Sequence, residues 1–159
     1  MRPYKIAIVK HNYFEFIIAA GIKYACYFIS YAEYFKNYKE VADNIYSVNV
    51  DVIKSSRKTV TADERTGLTI VEIVKQFLEG LENAVVYVCD NSDGRELFRK
   101  KKFDRWFRKY DDGTVIKVDG YIAVPHFNIY NAILIHKDNP KKNRFIEVFN
   151  ELNATGDNK

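Results

Sequence analysis

Cysteine is nearly absent: Cys26 and Cys89 are the only two in 159 residues, at no framework spacing. Each sits within an apolar strand pattern, so a disulfide scaffold is excluded and buried free thiols in a reducing cytoplasm are expected. Long apolar runs are missing too. The longest are a handful of residues, against the ~20 a membrane helix needs, so no membrane span is expected. The opening MRPYKIAIVKH alternates apolar and polar residues and lacks the apolar core of a secretory signal. The three histidines, His11, His126 and His136, are scattered, with neither H-x-x-x-H spacing nor a C-x-x-C partner. No metal site or cofactor is called for. Nothing pairs a histidine with Cys89, so a thiol nucleophile would lack its base. A glycine-rich phosphate cradle is lacking as well. These gaps disfavour an enzyme.

What the chain has in quantity is aromatic surface, with 12 Tyr, 11 Phe and one Trp. Tyrosine suits half-buried sheet faces, where the ring packs and the hydroxyl stays wet. Hydrophobic residues make up 47% and charged residues 29%, ordinary for one soluble globular domain.

The first half reads as strands at 4–9, 13–19, 22–30 and 45–53. Gly21 supplies a hairpin turn, and 31–44 is a tyrosine-rich connection with room for one helical turn. The alternation in 45–53 puts Tyr46, Val48, Val50 and Val52 inward. Residues 54–68 are polar and read as a loop. Thr69–Glu72 has the form of a capping box, with Leu68 and Ile73 as its staple, and predicts a helix that closes at Gly80 with Leu81 packed behind it. The run AVVYVC at 84–89 is a candidate central strand covered on both faces. A second helix is expected from Asp93 to Tyr110. After it come a turn at 111–113 and a β-rich stretch at 114–124, broken by a hairpin turn or bulge at Asp119-Gly120. A strand at 127–136 follows. The last helix is capped by Asn139 with Pro140 at its first position, and its stripe is Phe145, Val148, Phe149 and Leu152. From Asn153 onward there is nothing to bury, so 153–159 is expected to be a disordered tail to a single 1–152 domain. The pattern predicts an α+β fold: an N-terminal antiparallel meander continued by βαββ-type elements, in a mainly antiparallel sheet with about three packed helices.

Charge is concentrated in one place. Between Arg95 and Lys109 stand eight basic residues against Glu96 and Asp104, whereas the whole chain is only +4. Positive charge this local is an argument about partners rather than about fold. Phe103, Trp106, Phe107 and Tyr110 recur at helical spacing and form an apolar stripe. Lys101, Arg105 and Arg108 point away from that stripe, and Lys100 and Lys102 flank it, their alkyl stems covering its edges. Asp104 is placed to pair with Arg108 one turn on, and Arg105 is alternatively a bidentate ligand for a carboxylate or phosphate. Arg95, Arg99, Lys101, Arg105, Arg108 and Lys109 are therefore the candidate contacts for a protein partner or for nucleic acid. Phe98, off the stripe, is free to stack on an unpaired base.

A second candidate is the loop after Cys89, with Asp90, Asn91 and Asp93 as its ligand residues. It is not half of an EF-hand, because Gly94 at the sixth position would put Cys89, not an acid, at the first. The loop follows an apolar strand and precedes a helix start, which is an anion or small-ligand position when the strand is central. His136 ends its strand by bonding the turn at Asp138-Asn139.

Three blocks, VVYVCDNSDGRE at 85–96, KKFDRWF at 101–107 and ILIHKDNP with FIEVFNELN at 133–153, resemble a family of small bacterial proteins of Bacteroidetes type. That family is catalogued as a domain of unknown function. The resemblance spans roughly 4–153 and is most specific at Phe103–Trp106 and His136–Pro140. It implies a bacterial, intracellular, single-domain protein and no particular activity. The function expected is that of a small non-catalytic binding or regulatory protein acting through its basic amphipathic helix. Nucleic-acid binding is the alternative, and a small ligand or an enzyme site after Cys89 the second.

Overall fold

The computed structural model describes residues 1–54, 63–89, 94–124 and 127–157. Seven strands form one sheet in the order β1-β2-β3-β4-β5-β7-β6. The N-terminal meander is β1 (Ala7–Lys10), β2 (Tyr13–Ile17), β3 (Lys23–Ser30) and β4 (Ile45–Lys54), each antiparallel to the next. Gly21 turns the β2–β3 hairpin at φ 78°, a conformation that glycine adopts without the Cβ penalty. A 3-10 turn at Ala32–Phe35 and the short α1 (Lys39–Ala42) lead into β4. Then α2 (Glu64–Phe77) crosses over to β5 (Ala84–Cys89), which pairs parallel to β4. After α3 (Glu96–Tyr110), β6 (Val115–Val124) and β7 (Phe127–His136) form a hairpin whose second strand lies against β5, and α4 (Lys142–Asp157) closes the fold. The α+β architecture and the N-terminal meander are those the pattern predicts.

Two cores sit on the two faces. On one, Phe14, Phe16, Cys26 and Phe28 pack against Ile70, Ile73 and Val74 of α2 and Phe103, Trp106 and Phe107 of α3. On the other, Phe35, Ile45, Val86, Ile133 and Ile135 meet Phe145, Val148 and Phe149 of α4. Ala84, Val85 and Val86 of β5 are buried on both sides, as an apolar run in a central strand requires.

Several boundaries differ from the pattern. α2 is capped by Asp63, just before Glu64, and the Asp63 Oδ1 accepts the Thr66 N–H at 2.7 Å. Thr69 is no cap. It lies buried inside the helix, donates to Arg65 O at 2.7 Å, and accepts the Tyr4 N–H at 2.8 Å. That bond holds Tyr4 outside the strand, so β1 begins three residues later than the alternation suggests. The helix ends on Leu78, whose N–H reaches Val74 O, while Gly80 keeps an ordinary φ and Leu81 stays 40% exposed. Asp119-Gly120 is neither turn nor bulge, because β6 and β7 pair without a register shift from Val115↔His136 to Val124↔Phe127. α4 continues to Asp157, and Asn153 is buried with its Nδ2 donating to Phe149 O. Asn139 caps as expected, its Oδ1 accepting the Lys141 N–H, although regular helix begins at Lys142. His136 Nδ1 accepts the Asp138 N–H at 3.0 Å, as read.

Candidate functional site

β4 and β5 form the one parallel pair among the described strands, and they stay together for three rungs only, Ile45↔Ala84, Tyr46↔Val85 and Ser47↔Val86. Beyond Ser47, β4 follows β3 and β5 follows β7. The strands part, and a crevice of about 610 Å³ opens at their carboxyl ends. Ligands of open α/β sheets bind at this kind of position, and the volume lies within the range of small-molecule sites.

One wall is the inward face of β4, Val48, Val50 and Val52, with Tyr24 of β3. Val50 and Val52 are 36% and 42% exposed although the alternation aims them at the core. They do face inward, but where β5 separates from β4 nothing among the described residues covers them. Tyr87 and Val88 of β5 make the facing wall, and Arg99, Lys102, Phe103 and Trp106 of α3 roof it. Tyr87 stacks on Phe103 with centroids 3.6 Å apart. Trp106 lies directly over Gly67 of α2, where any Cβ would strike the indole. Only glycine allows the two helices to approach this closely.

Lys102 is the chemically distinctive member. It is half-buried, and its ammonium stands 5.1 Å from the Trp106 ring centroid. Burial lowers its pKa below the ordinary lysine value, and the like charges of Arg95 and Arg105 lower it further. It has no carboxylate partner among the described residues. The charges that act on it are those of Arg95 and Arg105, both positive, and the Asp51 carboxylate at the crevice accepts a hydrogen bond from Tyr27 at 2.5 Å.

The candidate cations of α3 have different neighbours. Arg99 lines the crevice. Arg105 and Lys109 reach Glu64 in the first turn of α2, at 2.8 and 3.3 Å, and Tyr110 donates to the same carboxylate at 2.8 Å. The Tyr110 bond first, then the two cations, hold Glu64 below the usual carboxylate range. Asp104 takes Lys100 at 2.5 Å and Lys117 of β6 at 2.6 Å, not Arg108. Arg95 lies 5.1 Å over the Phe98 ring. Lys101 and Arg108 are exposed and have no partner among the described residues. The stripe reads as expected, with Phe103, Trp106 and Phe107 buried.

Asp90, Asn91 and Asp93 lie outside the described residues. Cys89, before them, is 2% exposed, and burial raises its thiol pKa. His136 lies at the opposite end of β7 from Tyr130, the residue that pairs with Cys89. Sequence patterning had no signal for Lys102 as a crevice residue, because the crevice depends on where two strands part.

Residues 62–151 match the model of a family of unknown function, DUF6169. The match takes in α2, β5, α3, β6 and β7 and ends within α4, leaving the N-terminal meander outside it. Among curated proteins no match is found. No helix of the described residues is long and apolar enough to cross a membrane.

Proposed function

The chain belongs to the DUF6169 family, a family of unknown function, and we propose that it is a binding protein which takes a small organic anion into the crevice between β4 and β5. The observation that carries this reading is Lys102: a half-buried cation with no carboxylate partner among the described residues, on an aromatic and valine-lined cavity. A cation desolvated without a partner is costly, and an anion offsets that cost through a charge-assisted hydrogen bond. Arg99 lines the same crevice and adds a second positive charge to it. Val50, Val52 and Tyr87 would take the apolar body. Two buried free thiols accord with a reducing, cytoplasmic setting.

The test is an NMR titration with 1-naphthyl phosphate, which joins an anionic head to an aromatic body, and with uncharged 1-naphthol as control. Saturable shifts are expected at Val50, Val52 and Tyr87. Lys102→Gln should weaken the phosphate about tenfold or more, with little effect on the naphthol. Equal affinity of the variant, or shifts confined to other surfaces, would overturn the reading.

A second reading is supported by Lys101 and Arg108. They lie seven residues apart and are exposed on α3, and Phe98, three residues before Lys101, is 57% exposed. A single-stranded polyanion could follow this face, with Phe98 as a stacking platform. With Arg105 and Lys109 already engaged by Glu64, few phosphates would be neutralised and the salt dependence would be shallow. Pull-down with and without nuclease separates this partner from a protein held by the same cations.

A further inference from the structure

On the other face of the sheet lies a second cavity, of about 180 Å³, bounded by the 3-10 turn, α4, β5 and the β6–β7 hairpin. Its walls are apolar and aromatic, among them Tyr31, Phe35, Val86 and Phe149. Two polar residues interrupt them, Asn131 and Asn153. The Oδ1 atoms of both are buried and have no hydrogen-bond partner among the described residues.

Both asparagines occupy positions that the fold's own patterning reserves for apolar side chains. β7 presents Asn131, Ile133 and Ile135 on one face, and the latter two are fully buried against α4. On α4 the stripe of Phe145, Val148, Phe149 and Leu152 continues at the eighth position with Asn153. The Asn153 Nδ2 donates to Phe149 O at 2.8 Å, which fixes the other end of its amide as the acceptor. Facing both is Gly120, paired with Asn131 in the ladder. A Cβ at Gly120 would strike Asn131 Oδ1 and Asn153 Oδ1 alike. Its φ is not positive, so the backbone does not require glycine there. Glycine at this point keeps clear the space on which two buried acceptors converge.

Buried acceptors without donors are unfavourable, and native folds supply them with a partner. We infer that this cavity binds a small neutral molecule whose N–H or O–H group is directed at Asn131 and Asn153 while its planar apolar body lies among Phe35, Tyr31 and Phe149. Phenols and indoles are the chemical class. Neutrality follows from the lining, in which no described side chain carries a charge; a charged head would be buried without a counter-ion. Size agrees, since an engineered protein cavity of about 150 Å³ accepts benzene.

The experiment compares phenol with toluene, the same shape without the donor, by NMR titration of the full chain. The side-chain amides of Asn131 and Asn153 and the Ile122 methyls are the reporters. Phenol is expected to shift all three saturably and to bind about tenfold or more tightly than toluene. Asn153→Leu restores the apolar stripe, so it should retain the fold and reverse the preference towards toluene. Equal binding of both ligands to the wild-type chain would mean a plain apolar hole and would overturn the inference. So would the absence of saturation by either, with the two amides bonded to each other or to ordered water.

Discussion

Asp104 is where the basic helix is tied to the sheet. Burial pushes its carboxyl pKa up, but hydrogen bonds from Lys100 and Lys117, and their charges, outweigh that and hold it below the usual carboxylate range. A carboxyl depressed in this way contributes stability that is present above its unfolded value, about 3.9, and is lost as pH falls through the lower folded value. Asp104→Asn should therefore cost about 1 kcal/mol at neutral pH, the site being open to solvent on one side. In urea unfolding that difference should shrink in strong acid, and an equal cost at both pH values would count against the role given to Asp104. Helical spacing alone suggested Arg108 as the partner. Lys100 is one turn away in the other direction and fits the same rule, so spacing could not choose between them. Lys117 arrives from β6 and was not visible at all.

At the scale of elements, the apolar stripe of α3 was legible, although the helix begins at Glu96 with Arg95 as an N-cap that makes no side-chain bond, not at Asp93. Its stripe of Phe103, Trp106 and Phe107 is buried, and Lys101, Arg105 and Arg108 are exposed. Trp106→Ala should cost about 3–5 kcal/mol as a large-to-small core change. Replacing Lys101, Arg105 and Arg108 together should leave the fold cooperative, although it releases Glu64 from Arg105. Denaturant melts of the two variants decide the orientation. Unfolding of the triple variant beside a tolerated Trp106→Ala would mean that the helix faces the other way. α2 was read less well, because Thr69–Glu72 carries a capping-box pattern that the chain uses otherwise. A threonine within a helix can bond back to the preceding turn, and here Thr69 also receives Tyr4 from 65 residues away. Gly120 was misread for a related reason. Glycine beside aspartate signals a turn locally, but this glycine answers to Asn131 and Asn153.

For the whole molecule, the sequence pattern reaches the α+β class and the meander, because alternation and hairpin turns are local. It does not reach the crevice, which arises where β4 leaves β5 after three paired rungs. Val50 and Val52 illustrate the limit: their alternation is that of core residues, and the path of a strand some 35 residues further on leaves them uncovered among the described residues. The binding reading rests on a cation that this geometry desolvates without a carboxylate partner among the described residues, and Lys102 Nζ can be followed directly by NMR as pH is raised, with and without saturating 1-naphthyl phosphate. In the free protein Lys102 should titrate below the ordinary lysine value, since burial and then Arg95 and Arg105 disfavour its charge. In the complex its pKa should rise, and by linkage affinity should fall as pH passes through it. A Lys102 that titrates as an ordinary exposed lysine and does not respond to the phosphate would contradict the crevice as the binding site.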